Sequence, residues 1–212
     1  MHFRDRREAG RLLAKALADL RGAKDVVVLG IPRGGVVVAH EVAAALDAPL
    51  DVYITRKIGA PFNPELAIGA VASDGTLVLD DDLIARIGVP TDYVQSETER
   101  QRREIERRLK AYRGASSALP LKDRTVILVD DGVATGATTM ASVRAIQQQQ
   151  PRQLILAIPV APADTIHMLE QEADRVVCLH TPEVFWAVGA FYEAFDQTSD
   201  EEVVRLLQGR RR

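Results

Sequence analysis

The 212-residue sequence has one cysteine, Cys178, and one tryptophan, Trp186. A single thiol permits no intramolecular disulfide and no cysteine-rich metal centre, and its place in the apolar run 176–179 marks it as a buried, inert thiol. Histidine is almost as scarce, and His2, His40, His167 and His180 show no ligand spacing, so no metal site built from side chains is expected. No apolar run approaches the ~20 residues that span a bilayer. Residues 1–7 are charged and lead into an amphipathic stretch with no secretory apolar region, so the expectation is a cytoplasmic protein with no membrane partner. Internal repeats are absent, and the only low-complexity feature is the glutamine run 147–150. Charge of one sign is lacking too: 27 basic against 30 acidic residues leave a net −3, so nothing global points to nucleic acid. Any polyanionic ligand would have to be held locally.

What is present is ordinary for a globular protein, with 47% apolar and 27% charged residues. The length suits a single domain, residues 1–212, with room for a small subdomain. One stretch stands out. Val126, Ile127, Leu128 and Val129 suit a buried parallel strand, and the run ends abruptly in Asp130 and Asp131. Gly132, Ala134, Thr135, Gly136, Ala137 and Thr138 follow, then a helical pattern to Gln150. Strand, acidic pair, turn and helix in that order place the turn at the carboxyl edge of a sheet, where α/β proteins bind ligands. The turn can present backbone N–H groups at a helix N-terminus, which suits a phosphate. The carboxylates would repel that phosphate, so they need other work, accepting hydrogen bonds from sugar hydroxyls or holding a divalent cation's water shell. A ribose 5-phosphate meets both demands.

At these thirteen residues the sequence resembles the type I phosphoribosyltransferases, whose signature is a branched apolar strand, two acidic residues and a T-G-x-T turn. The resemblance implies an open twisted parallel sheet flanked by helices, with a small hood. It also implies that Asp130 and Asp131 hold the ribose hydroxyls of phosphoribosyl pyrophosphate and that residues 134–138 hold its 5′-phosphate. Ala134 stands where the 6-oxopurine members carry an Asp, as in adenine- and orotate-type members, so a base for a 6-oxopurine is missing from its usual place. Magnesium, bound mainly through the ligand's pyrophosphate and ribose, is the implied cofactor.

A second strand-turn-helix unit lies upstream: a strand at 26–29, the turn Gly30-Ile31-Pro32-Arg33-Gly34-Gly35, and a helical run to Leu46. Gly34 and Gly35 allow close backbone approach, and Arg33 offers a planar fork that matches phosphate oxygens. The resemblance makes this the pyrophosphate loop, often with a cis peptide; taken alone it reads equally as a plain strand-to-helix turn. Residues 50–55 read as one strand with Arg56 and Lys57 at its end, either a solvated basic end or, by the resemblance, groups that reach phosphoribosyl pyrophosphate. In the family the region 57–120 supplies a mobile loop; here it reads as a turn-rich segment, a strand 66–72, a hairpin through Asp74-Gly75 and a helix opened by a capping box at Ser96-Glu97-Thr98-Glu99. The loop's usual Ser-Tyr dipeptide is not found. That helix carries i, i+4 pairs Glu99/Arg103, Arg100/Glu104, Glu104/Arg108 and Glu106/Lys110, and its thin seam of Ile105, Leu109 and Tyr112 either projects into solvent or packs on a second copy as a homodimer.

Before the acidic motif, residues 5–21 place Leu12, Leu13, Ala16, Leu17 and Leu20 on one helical stripe; after it come a strand at 153–160, a helix at 163–171 and a last strand at 175–179. The tail from 182 on gathers Phe185, Trp186, Phe191, Tyr192 and Phe195 around Val188-Gly189. In the purine members an aromatic before a Val-Gly segment stacks on the base, so Phe185 or Trp186 would bind the acceptor in a hood; aromatics covering the sheet edge are the competing reading. The function expected is transfer of a phosphoribosyl group to a small nitrogen acceptor, with Asp130, Asp131, Arg33 and Lys57 in catalytic roles. The rival is a regulator that binds the same ligand on the same fold without turnover.

Overall fold

The computed structural model describes residues 1–114 and 116–209. Helix α1 (Arg6–Ala16) and a 3-10 turn (Ala18–Leu20) lead to strand β1 (Val26–Gly30), helix α2 (Gly34–Leu46) and strand β2 (Leu50–Val52). Strands β3 (Thr55–Ala60), β4 (Asn63–Ala72) and β5 (Leu77–Leu79) follow, then helices α3 (Asp81–Ile87) and α4 (Thr91–Arg113). The chain returns through β6 (Thr125–Val129), α5 (Ala137–Gln148), β7 (Gln153–Val160), α6 (Ala163–Glu170) and β8 (Arg175–His180), and ends in a 3-10 turn (Val188–Phe191) and α7 (Asp200–Gln208). Among the described residues no helix is long and apolar enough to cross a membrane.

Five strands form a parallel sheet in the order β2-β1-β6-β7-β8. Its centre is apolar on both faces because both faces are covered. Val26 and Val28 of β1 and Ile127 and Val129 of β6 pack toward α1, α2 and α7, while Val27, Leu29, Val126 and Leu128 pack toward α5 and α6. The chain runs outward from β1 to β2 on one side and from β6 to β8 on the other, so β1 and β6 flank the point where strand order reverses, and a crevice opens at their carboxyl ends. A second, antiparallel sheet, β3-β4-β5, has its own small core of Ile58, Ile68, Val89 and Val94.

Several local expectations are corrected. Residues 50–55 are not one strand: β2 stops at Val52, and β3 starts a different sheet at Thr55. The chain leaves the parallel sheet there because Ile54 N–H donates to Ser73 Oγ (3.2 Å) and the Tyr53 hydroxyl to Asp74 (2.7 Å), tying this bend to the β4–β5 turn. The capping box at Ser96 does not open a helix. Pro90, with φ −62° and ψ 141°, is the N-cap of α4, and Ser96 lies inside it with its hydroxyl on the Tyr93 carbonyl (3.0 Å). Of the expected helical pairs, Glu104–Arg108 forms at 2.7 Å; Glu104 also takes Arg107, and Arg100 turns back to Glu97. The seam of α4 is wider than expected, burying Val94, Thr98 and Gln101 as well as Ile105 and Tyr112. Cys178 is half-buried on the edge strand β8 rather than enclosed; its thiol donates to the His180 carbonyl, and burial pushes it up in pKa. Ala115, in the expected linker, and residues 210–212, in the expected hood, lie outside the described residues.

Leu128 is fully buried at the centre of the sheet. Leu128→Ala is expected to cost about 2–5 kcal/mol through lost transfer energy and a cavity, read as a lower urea midpoint with an unchanged slope.

Candidate functional site

The loops after β1 and β6 meet at the crevice, and their glycines are what allow it. Ile31 N–H donates to the Val129 carbonyl (2.9 Å), carrying the β1–β6 pairing one residue past the strands. A Cβ on Gly35 would lie 2.9 Å from the Val129 carbonyl oxygen and 3.0 Å from Asp130 Cα, and one on Gly34 would overlap Asp131 Oδ2. The loop therefore rests directly on the acidic pair. The Pro32–Arg33 peptide is cis, as the family resemblance implies.

Asp130 and Asp131 differ although they are adjacent. Burial, and then the neighbouring Asp131 carboxylate, push Asp130 well above the ordinary range; the Asp131 N–H, which donates to Asp130 Oδ1 at 2.8 Å, and the Arg6 guanidinium pull the other way. Asp131 is held from three sides. Arg6 Nε donates to Oδ2 at 2.6 Å, the Tyr192 hydroxyl donates to the backbone carbonyl at 2.5 Å, and Gly34 lies beneath. Arg6 itself stacks on Phe195, with Cζ 3.8 Å from the ring centroid, and its Nη1 donates to the Asp196 carbonyl (2.8 Å).

The turn after the pair ends in Gly136, which adopts φ 79° as the N-cap of α5 and supplies no side-chain cap. The N–H groups of the first turn of α5 are thus left to a ligand or water. Thr165 fixes the turn from behind, its hydroxyl donating to the Ala134 carbonyl (2.7 Å). Thr135, Ala137 and Thr138 form one wall of an open cleft of about 860 Å³; Ile31 and Pro32 form another, and Arg56, Lys57, Arg100 and Arg108 make its basic rim. A second cleft of about 650 Å³ lies between the start of α5 and the second sheet, sharing Lys57, Ala137 and Thr138.

The structure thus gathers Gly34, Gly35, Asp130, Asp131 and the turn at 134–138, with Arg56 and Lys57 opposite. Arg56 Nε donates to Gln101 and Lys57 Nζ to Glu65, both at 2.9 Å. Arg33 is turned elsewhere: its Nη1 is 3.8 Å from Asp200 at the start of α7, a carboxylate that also accepts from Tyr112. The aromatic pair divides, since Phe185 stacks on Phe191 at 5.4 Å whereas Trp186 is 88% exposed. Sequence reasoning missed Arg6, Gln101, Thr165, Tyr192 and Phe195. Arg6 stands 125 positions from Asp131 in a helix read only for packing, so no local pattern could have disclosed it.

A doubly wound sheet with an acidic pair and an uncapped glycine-threonine turn at its switch point belongs to the class of α/β proteins that hold ligands at the carboxyl edge. The family profile described as phosphoribosyl transferase domain matches residues 5–196, and the chain belongs to that family. Proteins from two strains of Mycobacterium tuberculosis, named as candidate phosphoribosyl transferases, are each 47% identical over 205 residues, covering 97% of this chain and 46% of theirs. The chain therefore spans about half the length of these curated relatives. The crystal structure of TT1426 from Thermus thermophilus is 47% identical with a TM-score of 0.89, covering 99% of both chains.

Because burial raises the Asp130 pKa, the folded state retains a proton that the unfolded chain releases at its ordinary pKa. The stability associated with that group is complete below the unfolded pKa of about 3.9 and is lost as pH rises toward the elevated one. Asp130→Asn should remove this loss, raising the melting temperature at pH 7 more than at pH 4; calorimetric scans at the two pH values measure the difference.

Proposed function

We propose that the protein is a phosphoribosyltransferase that uses phosphoribosyl pyrophosphate to ribosylate a small nitrogen acceptor of nucleobase type, releasing pyrophosphate. One observation carries this reading: the glycine loop lies directly on the acidic pair, beside the uncapped turn of α5, so sites for two anionic groups and a diol are contiguous. The turn at 134–138 would hold the 5′-phosphate through backbone N–H groups and the α5 dipole. Asp130 and Asp131 would hydrogen-bond the ribose hydroxyls, and Asp131 would help offset positive charge as the C1–O bond breaks. The leaving pyrophosphate would meet the backbone at 31–35 and the cations Arg56 and Lys57. Arg33, whose guanidinium lies near Asp200, would contribute only after turning inward.

Among the described residues no group of three His, Cys, Asp or Glu could hold a metal ion, and Asp131 Oδ2 is taken by Arg6. This donor set fits magnesium carried by the ligand's own pyrophosphate and ribose oxygens, where it would neutralise charge on the leaving group. The acceptor would enter from the side of the tail, with the exposed Trp186 as the available stacking face, while Phe185 is engaged with Phe191.

Incubation with phosphoribosyl pyrophosphate, magnesium and a panel of nucleobases should release pyrophosphate in the presence of one of them. Tight binding with no release under any acceptor would favour the regulator on the same fold. Asp131→Asn is expected to weaken calorimetric binding of magnesium phosphoribosyl pyrophosphate by about ten- to a hundredfold, the range for a charged hydrogen-bond partner; unchanged affinity would remove Asp131 from the ribose site. Trp186 fluorescence should be quenched or shifted by nucleoside monophosphates far more than by ribose 5-phosphate. Equal responses to both would assign the signal to general closure and take the acceptor role from Trp186.

A further inference from the structure

Arg6 is a surprising neighbour for a ligand-binding carboxylate. Arg7 and Arg11 on the same helix pair with Glu41 at the surface, whereas Arg6 turns inward until its side chain is 12% exposed against 16% for Asp131. A structural staple at this point would be redundant. The N-terminal segment is already fastened to the tail by Phe3 N–H to the Phe191 carbonyl (2.9 Å), Glu193 N–H to the Phe3 carbonyl (2.8 Å) and Ala194 N–H to the Arg4 carbonyl (2.9 Å). The start of α1 is capped independently by Asp5, which accepts from Glu8 N–H. What Arg6 does uniquely is fix one oxygen of Asp131. Oδ2 is held by Arg6, and the Asp131 carboxylate also shares a side-chain hydrogen bond with its neighbour Asp130. The guanidinium is fixed in turn by the Phe195 ring beneath it and the Asp196 carbonyl beside it, and Phe195 is held by Tyr192, with ring centroids 5.0 Å apart.

We propose that Arg6 is a positioning residue for the sugar site: by holding Asp131 Oδ2 it fixes the orientation in which the Asp131 carboxylate meets one hydroxyl of the vicinal diol of a pentose phosphate, so that the N-terminal helix and the tail set the preference for ribose. The inference rests on the reading of Asp131 given under Proposed function. A carboxylate free to rotate would lose that orientation to water and to its neighbour Asp130, whose side chain already bonds it. With Oδ2 held by a charged fork, the carboxylate is oriented before a sugar arrives, and its remaining lone pairs can accept from a hydroxyl.

The test separates recognition of the sugar from recognition of the phosphate. Ribose 5-phosphate, 2-deoxyribose 5-phosphate and 3-deoxyribose 5-phosphate are titrated calorimetrically into the parent, Arg6→Gln, Arg6→Lys and Phe195→Leu, after each variant's melting transition has been recorded. The parent should prefer ribose 5-phosphate to at least one deoxy sugar by about tenfold or more, and Arg6→Gln should shrink that preference to about twofold while leaving the deoxy-sugar affinity almost unchanged. Arg6→Lys should restore most of the preference, and Phe195→Leu, which keeps the charge but removes its support, should fall between. If Arg6→Gln does not fold, Phe195→Leu decides. A preference that survives both Arg6→Gln and Phe195→Leu overturns the inference alone, as does an equal loss for all three sugars. A parent with no preference among the three overturns the reading of Asp131 as well.

Discussion

Two carboxylates on adjacent residues at the end of a strand buried on both faces are costly, and much of the architecture around them offsets that cost. Desolvation disfavours the ionised form of Asp130, and the neighbouring Asp131 carboxylate disfavours it further. The result is an unequal pair: Asp130 is driven toward its protonated form, and Asp131 is given a guanidinium, a glycine platform and a tyrosine on its carbonyl. The glycines that open α2, the inward turn of α1 and the path of the aromatic tail all converge on this point. Burial of the Tyr192 ring, with Asp131 next in effect, raises its hydroxyl, which therefore stays a donor throughout the neutral range.

The basic rim opposite depends on a smaller contact. Arg56 and Lys57 are carried by a sheet with its own core, and a buried hydrogen bond from Ser142 Oγ on α5 to Thr55 Oγ1 at the foot of β3 (2.8 Å) ties that sheet to the helix that follows the turn at 134–138. On the other side Gln101 of α4 accepts from Arg56 and donates to Glu97, so the rim is spaced by neutral side chains as well as by charges.

The doubly wound core was legible because strands covered on both faces appear as continuous branched runs, and β1, β6 and β7 are such runs. The acidic pair and the turn at 134–138 were legible for a related reason: a chain that needs a tight ligand-facing turn after a buried strand has few residue types that serve. The misreadings share an opposite cause. The bend at Tyr53–Ile54 is produced by Ser73 and Asp74, some twenty residues away; the start of α4 was hidden by a plausible capping pattern inside the helix; and α7 was lost among the aromatics that precede it. Arg6 was illegible because its partner lies in another part of the sequence, and nothing in an amphipathic stripe tells which of its charged residues faces inward.

The way the tail closes over Arg6 imposes an order on how the site comes into being. Phe195 and Asp196 hold the guanidinium, and Phe3 is bridged to Tyr192. During synthesis β1, the glycines at 34–35, β6 and both carboxylates are translated well before these residues leave the ribosome. A nascent chain halted short of residue 196 would carry the acidic pair without its counter-charge held in place, so assembly of the surroundings of Asp131 is among the last events in the making of this domain.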